Sequence, residues 1–181
     1  MIWFVLGPSG TGKSSFGEYL ANIKNWYHLE IDQFDNNGKD VIDIHGLRQD
    51  WDVYYYKHDP RGLLKELKKR AKESGKSNCV LTFPGNLVLL TDHISAVADN
   101  IKIIYLYGSA ARCITAFLKR EKETHRNLGL DHWITNNSDS YIKMSEPEFE
   151  SNRVYVWTNN GERRQHEDIF AEISKLRTAT Y

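Results

Sequence analysis

The eight residues GPSGTGKS at positions 7–14 decide how the rest of the chain is interpreted. They fit the pattern G-x-x-x-x-G-K-[ST], in which glycines let successive backbone N–H groups point at phosphate oxygens. A continuous apolar run at positions 2–6 precedes the loop, and Phe16 and Leu20 follow it four residues apart. This order predicts a buried strand, a phosphate-binding loop and a helix whose amino terminus adds its positive end to the loop.

The loop predicts a site for a nucleoside triphosphate with magnesium. Lys13 is expected to reach the β- and γ-phosphates as a catalytic residue, and the Ser14 hydroxyl is expected to bind Mg²⁺. Ser15 is expected to contact the α-phosphate. The residues predicted to bind the nucleotide in this loop are Gly7, Ser9, Gly10, Thr11, Gly12, Lys13, Ser14 and Ser15.

Length and composition indicate one globular domain over residues 1–181. The chain is 40% hydrophobic and 27% charged, which is ordinary for a folded soluble protein. Its formal net charge is zero, which argues against a general polyanion binder, because such binding depends on excess positive charge. Cys79 and Cys113 form no Cys-x-x-Cys motif, so two reduced cysteines in a cytoplasmic protein are expected. No run approaches the ~20 apolar residues that a membrane span needs.

Short apolar runs alternate with helical stretches along the chain. The runs predict strands at about residues 1–6, 27–31, 78–83, 101–107 and 153–157. In the first of these runs the apolar residues are continuous rather than alternating, which is typical of a strand covered on both faces. The pattern therefore predicts an α/β fold with a parallel sheet between layers of helices.

Residues 1–20, with the loop at 7–14, resemble the start of the small P-loop kinases, the group of shikimate, gluconate, adenylate and cytidylate kinases. The resemblance implies a three-layer P-loop NTPase fold, with a five-stranded parallel sheet of order 2-3-1-4-5 and a helical lid. It implies an acceptor-binding region at about residues 33–75 and a lid at about residues 120–137. It also implies ATP and Mg²⁺ as cofactors.

Acidic residues end the second predicted strand, at the edge where ligands bind in parallel sheets. Glu30 and Asp32 lie two residues apart and point to the same side. The resemblance implies that an acid here binds the acceptor, activates its hydroxyl or holds Mg²⁺ through water, and Asp32 is the matching residue. Asp32 is therefore predicted as a catalytic, substrate-binding and metal-binding residue, and Glu30 as a substrate-binding residue.

The third predicted strand ends without the carboxylate that many P-loop enzymes place there to hold Mg²⁺. Thr82 is the polar side chain of this segment, and Pro84, Gly85 and Asn86 follow it. Shikimate-type kinases place a glycine turn against the acceptor at this point, and the resemblance implies acceptor contacts for Gly85 and Asn86. Ser14 and Asp32 are then expected to hold the metal between them.

Four further positions are predicted from the needs of phosphoryl transfer and from the resemblance. Mobile arginines neutralise the charge of a transferring phosphoryl group. The resemblance implies that Arg126 in the lid reaches the phosphates and that Arg120 lies by the adenine. Asn159, after the fifth strand, is expected near the base, and Arg48 is expected to bind an acceptor phosphate or carboxylate.

These predictions favour an ATP-dependent phosphotransferase that moves the γ-phosphate to a small-molecule hydroxyl or to a nucleoside or nucleotide. A nucleotide-binding switch or slow ATPase without such an acceptor stays open. A polynucleotide 5′-hydroxyl kinase stays open as a third reading, although the neutral net charge weakens it. A monomer and a homodimer are both compatible with the sequence.

Overall fold

A computed structural model describes residues 1–31, 42, 46–83, 85–97, 100–125 and 128–176. Five strands form one parallel sheet in the order β2-β3-β1-β4-β5. The strands are β1 (Ile2–Leu6), β2 (Tyr27–Glu30), β3 (Cys79–Thr82), β4 (Ile101–Tyr107) and β5 (Arg153–Tyr155). The sheet confirms the predicted α/β fold class, and its strand order is the one that the resemblance to the small P-loop kinases implied.

Helices connect the strands and cover the sheet. The α-helices of the described residues are α1 (Lys13–Ile23), α2 (Arg48–Lys57), α3 (Arg61–Glu73), α4 (Thr91–Ser95), α5 (Ala110–Glu123), α6 (Leu130–Ser145) and α7 (His166–Lys175). Two 3₁₀ helices, Gly85–Leu90 and Pro147–Asn152, precede α4 and β5. No helix within these ranges combines the length and the apolar character needed to cross a membrane.

The central strand β1 is buried on both faces. Its side chains alternate between two hydrophobic cores, with Phe4 and Leu6 in one and Trp3 and Val5 in the other. The first core packs against α2 and α3, and the second packs against α1 and α7. The phosphate loop therefore follows directly on a buried strand at the centre of the sheet. It lies at the carboxyl edge, where parallel sheets bind ligands.

The segment between β3 and β4 consists of the first 3₁₀ helix followed by the short α4. The Thr91 hydroxyl at their junction donates to the Val88 carbonyl oxygen, 2.6 Å away. The region that the resemblance implied as a lid, at about residues 120–137, contains the end of α5 and the first half of α6. The buried face of α6 includes Asn137 and Ser140, whose polarity hides the helical period.

Candidate active site

The phosphate loop adopts a backbone that only glycine accepts readily at two of its positions. Gly10 and Gly12 have φ angles of 96° and 78°, in the left-handed region. A Cβ on Gly10 would also overlap the carbonyl oxygen of Cys113 in α5. Gly12 precedes the first residue of α1, and no described side chain caps that helix terminus. The amides at the start of α1 are therefore placed to bind an anion.

Contacts within the loop fix its shape. The Thr11 hydroxyl donates to the Pro8 carbonyl oxygen at 2.9 Å, and the Ser15 hydroxyl donates to the Gly12 carbonyl oxygen at 3.0 Å. The Lys13 side chain is buried, and its Nζ lies 3.5 Å from the Pro8 carbonyl oxygen. The lysine ammonium thus lies against the loop itself, which is consistent with the phosphate-binding role predicted for it.

The Ser14 hydroxyl donates a hydrogen bond to Oε1 of Glu30, the last residue of β2. Glu30 is 9% exposed and lies beside Thr82 in the register of β2 and β3. A hydroxyl and a carboxylate are the oxygen ligands that Mg²⁺ prefers. Ser14 and Glu30 therefore fit a magnesium ion, whereas Asp32, which was predicted beside Ser14, lies outside the described residues.

The end of β3 carries no carboxylate, and a pair of uncharged side chains, Thr82 and His28, lies there instead. The buried Thr82 hydroxyl lies 3.0 Å from Nε2 of His28 on β2. Burial lowers the pKa of His28 to about 4, so the imidazole is neutral near pH 7. The carboxylate that faces the phosphate loop in this part of the sheet comes from β2, through Glu30, rather than from β3.

Gly85 lies where the phosphate loop meets α6. A Cβ at this position would lie 3.0 Å from the carbonyl oxygen of Gly7 and 3.0 Å from Cε of Met144. Its lack of a side chain is therefore explained by close packing, and its predicted contact with an acceptor stays a prediction. The side chain of Asn86, the other residue predicted here, lies outside the described part of the structure.

Two of the three arginines predicted from the sequence lie in the described residues, and both approach carboxylates. Arg120 donates two hydrogen bonds to Oε1 of the buried Glu121, at 3.0 and 2.7 Å, so a nucleotide contact would require it to leave this ion pair. Arg48 is the first residue of α2, and its Nη1 lies 3.9 Å from Oδ1 of Asp52, one turn further along the same helix. Arg126 lies outside the described residues.

Arg163, which the sequence analysis did not select, contacts the phosphate loop directly. Its guanidinium donates to the Thr11 carbonyl oxygen and lies 5.0 Å from the ring centre of Trp157. Burial lowers its pKa, and no carboxylate of the described residues pairs with it. Arg163 follows β5 in the loop predicted to lie near the base, so the loop's position was a signal for it.

A cavity of about 650 Å³ opens at the carboxyl ends of β4 and β5. Its wall includes Gly108, Arg112, Trp157 and the exposed Asn159. Arg112 approaches the Thr158 carbonyl oxygen at 3.5 Å. The cavity is compatible with the base site predicted at Asn159, and that role stays a prediction.

Two side chains of α6 hold Ser9 of the phosphate loop, and the sequence analysis missed both. Asn137 Oδ1 accepts a hydrogen bond from the Ser9 N–H at 2.7 Å. Trp133 Nε1 donates to the Ser9 carbonyl oxygen at 2.9 Å. Trp133 and Asn137 are four residues apart on one helix face, a spacing that would have indicated them had the helix been recognised.

No family model matches the chain. A curated protein named shikimate kinase, from Marinomonas sp. (strain MWYL1), is 27% identical over 126 residues. This match covers 68% of the present chain and 64% of the relative, which is less than two thirds of the relative's length.

Solved structures of several kinases have a similar fold. A gluconokinase from Sinorhizobium meliloti 1021 has a TM-score of 0.51 at 16% identity, over 94% of this chain and 87% of the other. A shikimate kinase from Acinetobacter baumannii has a TM-score of 0.50 at 17% identity, over 97% and 91%. A deoxyadenosine kinase from M. mycoides has a TM-score of 0.50 at 16% identity, over 97% and 100%. The chain therefore has the fold of the small P-loop kinases, and the resemblance predicted from its sequence is confirmed.

Proposed function

We propose that this protein is an ATP-dependent kinase that transfers the γ-phosphate to a hydroxyl group of a small molecule or of a nucleoside or nucleotide. The observation that carries the proposal is the contact between Ser14 and Glu30 beside the phosphate loop. It brings a hydroxyl and a carboxylate to the point where a magnesium nucleotide would present its phosphates. The kinase names of the matched relative and of the similar folds support the same reaction class.

The residues of the phosphate loop supply positive charge and hold the triphosphate in a fixed position. The amides at the start of α1 and the ammonium of Lys13 attract the triphosphate and stabilise the charge that spreads over the transferring oxygens. Ser14 and Glu30 would hold Mg²⁺, which when bound neutralises phosphate charge and orients the β- and γ-oxygens. Catalysis of this kind depends mainly on positioning and electrostatics, so a rigid loop is the main requirement.

The residues proposed to bind the acceptor are those predicted from the sequence. Asp32 is proposed to orient or deprotonate the acceptor hydroxyl, and Arg48, Gly85 and Asn86 to line its site. Arg126 is proposed to reach the phosphates when the lid closes. The relatives are named for shikimate, gluconate and deoxyadenosine, which all carry hydroxyl groups, so a hydroxyl acceptor is favoured.

The test is ATP turnover measured with and without acceptors. The panel contains shikimate, gluconate, deoxyadenosine and an oligonucleotide with a 5′-hydroxyl end, each with Mg²⁺ present. We expect an acceptor to stimulate turnover strongly in the wild type and to do nothing in Lys13→Ala, whose fold is checked by circular dichroism. Turnover that no acceptor stimulates would favour the slow ATPase or switch, and stimulation by the oligonucleotide alone would favour the polynucleotide kinase.

The proposal extends to the protein's setting. A kinase of this kind is expected in the cytoplasm, where ATP and Mg²⁺ are available, and as a monomer or a homodimer. Size-exclusion chromatography with light scattering distinguishes the two oligomeric states. A membrane-bound fraction after cell lysis would contradict the expected location.

A further inference from the structure

Both hydrogen-bonding groups of the Ser9 backbone are bound by side chains from one helix. The Ser9 N–H donates to Asn137 Oδ1 at 2.7 Å, and Trp133 Nε1 donates to the Ser9 carbonyl oxygen at 2.9 Å. Asn137 Nδ2 in turn donates to the Trp133 carbonyl oxygen at 2.9 Å, which fixes the orientation of the amide. Asn137 and Trp133 are 6% and 3% exposed. The two side chains are therefore buried and the hydrogen bonds to Ser9 are partly buried, an environment in which the loss of a hydrogen bond is costly.

Ser9 lies in the middle of the glycine-containing part of the phosphate loop. Gly10 follows it directly, and glycine gives the backbone more conformational freedom than any other residue. A loop that samples many conformations loses that entropy when it closes on a ligand, and affinity falls accordingly. Two bonds to Ser9 reduce this freedom before any ligand binds.

The rest of α6 is anchored to the same edge of the sheet. The Tyr141 ring stacks on Tyr107, at the end of β4, with ring centres 4.9 Å apart and an angle of 15° between the planes. A Cβ on Gly85 would lie 3.0 Å both from Cε of Met144 and from the Gly7 carbonyl oxygen, so α6 also comes close to the phosphate loop here. Helix α6 is thus fixed relative to the sheet at three places along its length. Trp133 and Asn137, which lie on the same helix, therefore hold Ser9 at a fixed position.

We propose that Trp133 and Asn137 are positioning residues that hold the phosphate loop in its nucleotide-binding conformation through the backbone of Ser9. The inference rests on the proposed function, because it takes a magnesium nucleoside triphosphate as the ligand. Neither side chain has to touch that ligand. They act through the backbone of Ser9, and α6 thereby holds the phosphate loop in one conformation.

The test measures binding of MgATP rather than turnover, by isothermal titration calorimetry. The variants are Asn137→Ala, which removes the acceptor for the Ser9 N–H, and Trp133→Phe, which keeps an aromatic ring but removes the donor. Asn136→Ala is the matched control, because Asn136 is exposed and its Nδ2 bonds to the His132 carbonyl oxygen within α6. We expect dissociation constants to rise about tenfold in the first two variants, the size of one lost buried hydrogen bond, and to stay within about twofold in the control.

Hydrogen–deuterium exchange of the unliganded protein separates positioning from general destabilisation. We expect faster exchange in the peptide that covers residues 7–12 in Asn137→Ala, with unchanged exchange in β3 and β4. Where turnover is measurable, KM for ATP should rise with kcat nearly unchanged at saturation. Unchanged MgATP affinity in both variants, or faster exchange throughout the chain, would overturn the proposal. Intact MgATP binding without kinase turnover would overturn the proposed function and leave this inference standing.

Discussion

Ser14 and Glu30 are sixteen residues apart, and a hydrogen bond from the serine hydroxyl to the carboxylate joins them. Ser14 lies in the first turn of α1, and Glu30 is the last residue of β2. β2 is separated from β1 by β3, so the contact reaches across the carboxyl edge of the sheet. The carboxylate that accompanies the phosphate loop is therefore supplied from the edge strand.

Glu30→Gln is expected to raise the Mg²⁺ concentration needed for nucleotide binding or turnover about tenfold or more. The amide keeps the size of the side chain but removes the charge that holds a hard cation. Magnesium titrations at fixed ATP measure the change. Glu18→Gln is the control, because Glu18 is exposed on α1. An unchanged magnesium requirement in Glu30→Gln would remove Glu30 from the metal site.

Arg163→Ala is expected to weaken MgATP binding about tenfold. The guanidinium bonds to the loop at Thr11 and has no carboxylate partner among the described residues, so its charge is available to an anion. Calorimetric titration measures the affinity. Arg164→Ala is the neighbouring control, because Arg164 is already paired with Glu172 at 2.7 Å. Equal affinities in the two variants would count against a nucleotide contact for Arg163.

The fold was largely predictable because short runs rich in apolar residues alternate with helical stretches along the chain. The clearest run is β1, which is buried along its whole length, and the phosphate loop indicated how β1 connects to α1. Helix α6 was not recognised, since Asn137 lies on its buried face. That asparagine is buried because it binds a backbone N–H far away in the sequence, a contact that periodicity does not reveal.

The site was predictable where a motif fixes the geometry and less so where tertiary contacts do. The phosphate loop and the position of Lys13 follow from the spacing of the glycines. Arg120 was chosen for its place at a helix end, but the buried Glu121 beside it already binds its guanidinium. Arg163 carries the same guanidinium group and lies against the loop, and its place after β5 was the signal that the sequence offered for it.

The stability of the protein is expected to fall as the pH drops from about 6.5 towards 4. Burial lowers the folded-state pKa of His28 from 6.5 to about 4, so the unfolded chain binds one more proton between these values. The free energy of unfolding is therefore unaffected by the titration of His28 above pH 6.5, the unfolded pKa. It decreases as the pH falls below that value, by at most about 3 kcal/mol. Denaturant unfolding in EDTA at several pH values measures it.

The matched variant for this pH dependence is His28→Gln, which removes the titrating group and keeps a partner for Thr82. The pH dependence of its unfolding free energy should be shallower than that of the wild type between pH 4 and 6.5. Parallel curves for the two proteins would mean that His28 does not titrate differently on folding.

Neither cysteine is expected to react with a thiol reagent in the native protein near pH 8. Cys79 and Cys113 are buried, and burial raises the pKa of each thiol to about 12, so little reactive thiolate forms. Absorbance after addition of a disulfide reagent measures the reaction. Guanidinium chloride should expose both thiols, and rapid labelling without denaturant would show that the packing around Cys79 or around Cys113 opens in the native protein.

Gly85 has a consequence for anyone who sets out to redesign this protein's choice of acceptor. A side chain there would press on the carbonyl of Gly7 in the phosphate loop and on the thioether end of Met144. The loop would have to shift to make room, and we expect the change to weaken ATP binding although the substitution was aimed at the other substrate. Libraries meant to alter specificity should therefore keep this glycine and vary the positions around it.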